Sequence, residues 1–178
     1  MILIVDMNRG KDSLGYDEFV RPLSRLAEDH EVRHYTEVGD PEAFDRIILS
    51  GTPLKDNGYL GDTEEFSWVR TCDKPILGIC AGMQAIAQAH GGKLKRCQEI
   101  GMTDVETVKE NPLFEGAFEA YELHNHAVNL TADFEALAKS KNCIQAIKHR
   151  TKPIYGVLFH PEVRNNDIIR RFTTTHIR

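Results

Sequence analysis

Cys80 is the residue around which chemistry can be assembled. It lies in Lys74-Pro75-Ile76-Leu77-Gly78-Ile79-Cys80-Ala81-Gly82-Met83-Gln84, between an apolar run and a stretch of helix-forming residues. Ile76 to Ile79 reads as a short buried strand and Gln84 to Ala89 as part of a helix, so Cys80 is expected on a sharp strand-to-helix turn. Exposure at such a turn, a helix N-terminus behind it and backbone N–H groups facing the sulfur all favour a reactive thiolate. A lone cysteine at the end of a core strand is otherwise an inert buried thiol. The glycines flanking this one, and the residues it can meet, decide between the two.

A cysteine nucleophile needs a base, and the base needs a third group to hold its ring in the right tautomer. His160 directly follows the apolar run Ile154-Tyr155-Gly156-Val157-Leu158-Phe159, so it too is expected at the C-terminal end of a strand. Pro161 stiffens the turn, and Glu162 is close enough in sequence to fold its carboxylate back onto the imidazole. A third strand end, Ser50-Gly51-Thr52-Pro53, follows Arg46-Ile47-Ile48-Leu49. Attack by sulfur on an amide creates an oxyanion that needs preorganised donors. The backbone N–H of Thr52 and that of Ala81 are the candidates. His124 and His126 invite a metal reading, but no third ligand has helpful spacing, and no metal is expected.

These residues require strands whose C-terminal ends share one edge, which a wound parallel sheet provides. The pattern fits. Ile2 to Val5 is a continuous apolar run, Glu31 to Tyr35 alternates, and Arg46 to Ser50 and Ile76 to Ile79 are strands. Helical stripes lie between them over Asp17 to Asp29 and Thr63 to Cys72. Gly91-Gly92 closes the helix after Cys80. Lys93 to Val108 fits added strands, Phe118 to Leu130 has a mixed pattern, Ile144 to Lys148 is a strand and Asn166 to Phe172 a closing helix. The expectation is one α/β domain over residues 1–178, an open wound, mostly parallel sheet flanked by helices.

Composition excludes several classes. A net charge of −5 with no long basic run speaks against nucleic acid as the main partner. The four cysteines have no C-x-x-C spacing, so neither a zinc site nor a redox pair is indicated, and Cys72, Cys97 and Cys143 are read as inert. Met1 leads straight into a strand with no basic leader, and no apolar run approaches the ~18 residues of a membrane span. A cytoplasmic protein without membrane contact is expected.

Together, these motifs resemble the class I (triad-type) glutamine amidotransferases, with their flavodoxin-like fold, over nearly the whole chain. The most specific pieces are Gly78-Ile79-Cys80-Ala81-Gly82-Met83-Gln84, which matches the family's G-x-C-x-G-x-Q, and Gly156-Val157-Leu158-Phe159-His160-Pro161-Glu162. The resemblance implies that Cys80 attacks the side-chain amide of L-glutamine, that His160 protonates the departing ammonia and that Glu162 orients His160. It implies substrate contacts at Gly51, Gln84, His124 and Asn125. The family usually has Gly-Gly-Pro where this chain has Gly51-Thr52-Pro53. A Cβ at Thr52 restricts the backbone, so a loop that must rearrange to present its N–H is expected. Met83 replaces a common histidine, and Leu158 a common glutamine.

Nothing in the chain resembles a synthase domain or a Gly-rich nucleotide loop, so the ammonia is expected to be used by a partner. Within the family, the stretches Asp133 to Ser140, Asn142-Cys143, Ala146 to His149 and Pro153 to Val157 look most like the separate glutaminase subunit of archaeal-type GMP synthase. That resemblance implies a partner, the ATP-pyrophosphatase (synthetase) subunit, which adenylates XMP, with ATP and Mg2+ on that partner and no cofactor in this chain. The alternatives are the glutaminase subunit of anthranilate or aminodeoxychorismate synthase, a noncatalytic regulatory module of the same fold, and a stand-alone γ-glutamyl hydrolase.

Overall fold

The computed structural model describes residues 1–10 and 13–177. Among these described residues, nine strands form one sheet. In chain order they are β1 (Ile2–Asp6), β2 (His30–His34), β3 (Arg46–Leu49), β4 (Ile76–Ile79), β5 (Leu94–Thr107), β6 (Ala117–Val128), β7 (Phe134–Lys139), β8 (Ile144–His149) and β9 (Ile154–Val157). Their spatial order is β2-β1-β3-β4-β9-β8-β7-β5-β6. The first five in that order are mutually parallel and form the wound half expected from the sequence. The rest continue it in antiparallel pairing, which makes the sheet mixed.

The apolar runs form strands of the parallel half because both of their faces are covered. Leu3, Val5, Ile47 and Leu49 pack into the core on one face. Ile4, Ile48, Leu77 and Ile79 pack into the core on the other. Each fully buried side chain of this size contributes about 1.5–3 kcal/mol, so both layers depend on these short runs. Helix α2 (Ala81–Ala89) covers one face. Helices α1 (Arg21–Leu26) and α3 (Asn166–Thr174) lie against each other, and Leu23, Ile168, Ile169 and Phe172 enter the opposite core. Gly91, at φ +75°, ends α2, and the N–H groups of Gly91 and Gly92 bond to the carbonyls of Gln88 and Ala87.

Several elements differ from the sequence expectation. The helix expected over Asp17 to Asp29 starts earlier, with a π-turn over Tyr16–Val20, and its α-helical part is Arg21–Leu26 with Pro22 in the first turn. The helix expected over Thr63 to Cys72 is a 3-10 helix, Thr63–Arg70, which buries Phe66 and Val69 and half-buries Trp68. Lys93 to Val108 is a single long strand with a bulge between Arg96 and Glu99. The mixed stretch Phe118 to Leu130 is mostly β6, β5's antiparallel partner. Its burial does alternate, with Ala120, Glu122 and His124 buried and Tyr121, Leu123 and Asn125 half-buried, but two of the buried positions are polar, so hydropathy does not show the period.

Candidate active site

The site is built at the C-terminal edge of three neighbouring parallel strands. Leu49 of β3 is level with Gly78 of β4, and Ile79 of β4 is level with Val157 of β9. The residues that follow, Ser50-Gly51-Thr52, Cys80 and His160, therefore leave the sheet on the same side. The N–H of Cys80 still bonds to the Val157 carbonyl (2.8 Å), and its own carbonyl accepts the N–H of Gln84 (3.0 Å), the first bond of α2.

Cys80 has φ 47° and ψ −101°, and among the described residues it is the only non-glycine at positive φ. Such a conformation costs on the order of 1–3 kcal/mol and persists only when the surroundings enforce it. They do so by close packing. A Cβ at Gly78 would come within 2.5 Å of Gly82 C and 2.6 Å of Met83 N, and a Cβ at Gly82 within 2.5 Å of the Leu49 carbonyl oxygen. The two glycines of the motif let the strand, the turn and the helix approach this closely. Met83 is fully buried and fills the space beside Gly156, and Leu158 is also core.

His160 is fully buried, and its Nδ1 lies 2.7 Å from Glu162 Oε1. The other nitrogen, Nε2, has no hydrogen-bond partner. Burial disfavours the charged ring, but the Glu162 carboxylate and Cys80 outweigh it and hold His160 well above its ordinary pKa. The ring is packed at 5.0 Å from that of Phe19, and its backbone N–H bonds to the Tyr121 carbonyl at 2.9 Å. A Cβ at Gly51 would lie 2.5 Å from His160 Cε1, so Gly51 is the floor on which the imidazole rests. The arrangement is a thiol, an imidazole with one nitrogen held and one free, and a carboxylate behind it, which is the layout of a cysteine nucleophile with its base and orienter.

The cleft in front of Cys80 is lined by Thr52, Leu54, Tyr59, Gln84, Asn125 and their neighbours, and has room for about one water, ≈ 10 Å³. Its polar groups bond to one another. Tyr59 Oη donates to Gln84 Oε1, Gln84 Nε2 donates to the His126 carbonyl (2.9 Å), and Asn125 Nδ2 donates to the Leu54 carbonyl (3.4 Å). Thr52 takes an ordinary negative φ, so its Cβ imposes no backbone strain here. Its hydroxyl donates to the Asp56 carbonyl (3.0 Å) and pins the loop.

Leu123, whose carbonyl lies 3.7 Å from Cys80 Sγ, brings the 121–126 segment into the site. The side chain of His124 is held within a buried cluster. Its Nδ1 lies 3.0 Å from the Cys97 carbonyl, and its Nε2 lies 3.2 Å from Glu99 Oε2 and 3.1 Å from Glu122 Oε2. Sequence spacing paired His124 with His126, but the groups around it in space are Glu99 and Glu122. Cys143 is close to Glu99 as well, and these atoms lie within 4.8 Å of one another in two overlapping sets. Neither carboxylate was singled out in the sequence, because β5 and β6 bring them together across antiparallel register rather than within one motif.

Comparison with known proteins gives a consistent result. The family described as "Glutamine amidotransferase class-I" matches residues 18–173. The glutamine-hydrolysing GMP synthase subunit of Methanosarcina barkeri is 37% identical over 166 residues, covering 85% of this chain and 86% of that protein. The protein of the same name from Methanocaldococcus jannaschii is 46% identical over 109 residues, 55% of this chain and 58% of its own length. Among solved structures, a Thermoplasma acidophilum protein provisionally named as the same GMP synthase subunit superposes with a TM-score of 0.83 at 28% identity, covering 97% of this chain and 92% of that one. A Thermotoga maritima glutamine amidotransferase, at 20% identity, shares the fold with a TM-score of 0.72 over 96% and 80% of the two chains.

Proposed function

The chain belongs to the class I glutamine amidotransferase family, and from that premise we propose that it is the glutaminase subunit of a two-subunit GMP synthase. The observation that carries the chemistry is the Glu162–His160 pair with a free Nε2 beside a strained, buried Cys80.

In this reading, Cys80 passes its thiol proton to His160 Nε2 as Sγ attacks the side-chain carbonyl carbon of L-glutamine, and the carbonyl π pair moves to oxygen. The backbone N–H groups of Thr52 and Ala81 receive that oxyanion. As the intermediate collapses, the C–N bond breaks, and His160 gives its proton to the leaving nitrogen, which departs as ammonia. Water, deprotonated by His160, then attacks the thioester, and glutamate leaves with the thiol restored. The high basicity of His160 suits both steps, since the ring is charged when it must donate and Glu162 stabilises that charge.

The substrate groups are closed in this conformation. Gln84 and Asn125, expected to meet glutamine, are held by Tyr59, His126 and Leu54. Admission of glutamine therefore requires the Thr52–Leu60 segment to move, and docking of the synthetase partner supplies the energy for that movement. The Methanosarcina barkeri relative is named as one subunit of its enzyme, which supports a partner that uses the ammonia to convert XMP to GMP and carries ATP and Mg2+ itself. No helix among the described residues is long and apolar enough to cross a membrane.

Glutamate release from glutamine tests this, with the chain alone and with an archaeal ATP-pyrophosphatase subunit plus ATP, Mg2+ and XMP. Low activity alone that rises with the loaded partner and disappears in Cys80→Ala is the expected result. Equal activity with and without partner sinks the gating claim, and activation only by a chorismate-using subunit sinks the GMP assignment.

A further inference from the structure

Behind the site lies a second buried histidine, and its surroundings set a constraint on protons. A carbonyl oxygen only accepts, so the 3.0 Å contact from His124 Nδ1 to the Cys97 carbonyl places a proton on Nδ1. Nε2 then faces two carboxylate oxygens, Glu99 Oε2 at 3.2 Å and Glu122 Oε2 at 3.1 Å. If the ring were neutral and Glu122 ionised, Nε2 and the Glu122 carboxylate would meet as acceptors in a dry cavity with no donor for either Glu122 oxygen. Such a group of unpartnered buried atoms is costly.

The two carboxylates are not equivalent. Glu99 receives donors from Ser140 Oγ (2.8 Å), Asn142 Nδ2 (2.9 Å), Gln145 Nε2 (2.6 Å) and the Cys143 thiol (3.4 Å), a set suited to an ionised carboxylate. Glu122 is fully buried, and apart from its approach to the His124 ring neither of its oxygens has a hydrogen-bond partner. Burial disfavours its charged form, so its pKa is raised. The other ionisable groups facing the pair are Cys97 and Glu99 on β5, Cys143 before β8, and His160 after β9.

We propose that Glu122 and His124 share one trapped proton, and that this protonated pair is a positioning device for the backbone of residues 121–126 at the catalytic edge. The inference rests on the glutaminase reading only for its kinetic consequence. Tyr121, Leu123 and His126 present their carbonyls to the His160 N–H, to Cys80 Sγ and to Gln84 Nε2. Glu122 and His124 alternate with these contacts along the same strand and anchor it from behind. With the proton in place, Nε2 and Glu122 attract. Without it, they and Glu99 repel, and the strand that shapes the substrate cleft shifts.

The chain with ¹⁵N-labelled histidine gives the direct test. Nuclear magnetic resonance is expected to show His124 protonated at Nδ1, with the Nε2 signal changed from that of a bare ring nitrogen by the proton shared with Glu122. In Glu122→Gln that change disappears. A neutral ring protonated at Nε2 and bare at Nδ1 overturns the proposal, as does a stoichiometric metal ion in the purified chain whose removal by chelator alters the His124 signals. In partner-activated glutaminase assays, KM for glutamine is expected to rise with pH in the unmodified protein by about tenfold, with kcat less affected, and Glu122→Gln flattens that rise. His124→Gln keeps a donor for the Cys97 carbonyl and is a second variant should Glu122→Gln fail to fold. Superposable KM profiles for the unmodified protein and Glu122→Gln overturn the positioning role. The magnetic-resonance arm needs no glutamine turnover, so a chain that hydrolyses no glutamine would sink the glutaminase reading without touching this one.

Discussion

His160 and His124 are both buried histidines beside glutamate, and they are used in opposite ways. Glu162 holds His160 through Nδ1 and leaves Nε2 free beside Cys80. His124 is engaged at both nitrogens, by a backbone carbonyl and by two carboxylates. A ring with one open nitrogen can move a proton to a reacting atom. A ring with none can only hold its neighbours. The difference teaches that burial plus a carboxylate does not make a catalytic histidine, and that the free nitrogen and what it faces decide the role.

If so, damage to the first pair appears in rate and damage to the second in stability. Cys80→Ala and Glu162→Gln give the largest effects. Glutaminase activity should be lost in the former, with thermal unfolding nearly unchanged, and fall by about 10³–10⁴-fold in the latter. The same Glu162→Gln substitution removes a charge that holds His160 well above its ordinary pKa. The pH profile of the His160 ring, read by nuclear magnetic resonance of ¹⁵N-labelled histidine, should accordingly move to lower pH, because the ring gives up its proton more readily without the carboxylate. An unmoved profile would break the comparison at its first term.

Glu99→Ala should instead cost about 3–5 kcal/mol of folding stability in denaturant titrations, because it strands the donors of Ser140, Asn142, Gln145 and the His124 pair. Gly51→Ala sits between the two classes. Its Cβ must displace the His160 ring, and a drop of about 10–10²-fold in kcat with modest destabilisation is expected from steady-state kinetics.

The smallest effects come from pH and from the lid. The raised pKa of Glu122 means that the folded chain keeps a proton that the unfolded chain loses above about pH 4.5, so this group's contribution to stability falls as pH rises through its folded value. Glu122→Gln should therefore gain on the unmodified protein as pH increases, in denaturant titrations over a pH series. Tyr59→Phe removes the hydroxyl that occupies Gln84, and it should raise partner-free glutaminase activity by a few-fold, the effect of one hydrogen bond of about 1 kcal/mol.

Much of the first pair was legible in the chain. A nucleophile on a turn needs small residues around it, so Gly78 and Gly82 mark Cys80 locally, and the clash distances at both glycines supply the reason. His160 and Glu162 are two residues apart, so their contact is a local event after an apolar strand. Glu122 and His124 are also two residues apart, but no motif marked them as a pair, and nothing in the sequence showed that they are buried together with Glu99. Glu99, Glu122 and His124 sit in strands of weakly alternating hydropathy, and a bulge between Arg96 and Glu99 sets which β5 side chain meets His124. No sequence period records that register. The Thr63–Arg70 segment shows the same limit, since an apolar stripe there did not distinguish an α-helix from the 3-10 helix that packing selects.

The sequence by itself determined the parallel strands, the elbow and the candidate residues Cys80, His160 and Glu162, because apolar runs, glycines and adjacent residues act over short stretches of chain. Only the tertiary structure decided that Gly51 supports the His160 ring, that Tyr59 and Leu54 close the cleft, and that Glu99 from another strand joins Glu122 and His124 in one cavity. These depend on strand order and register, which arise when side chains from separate elements are packed together and excluded from water.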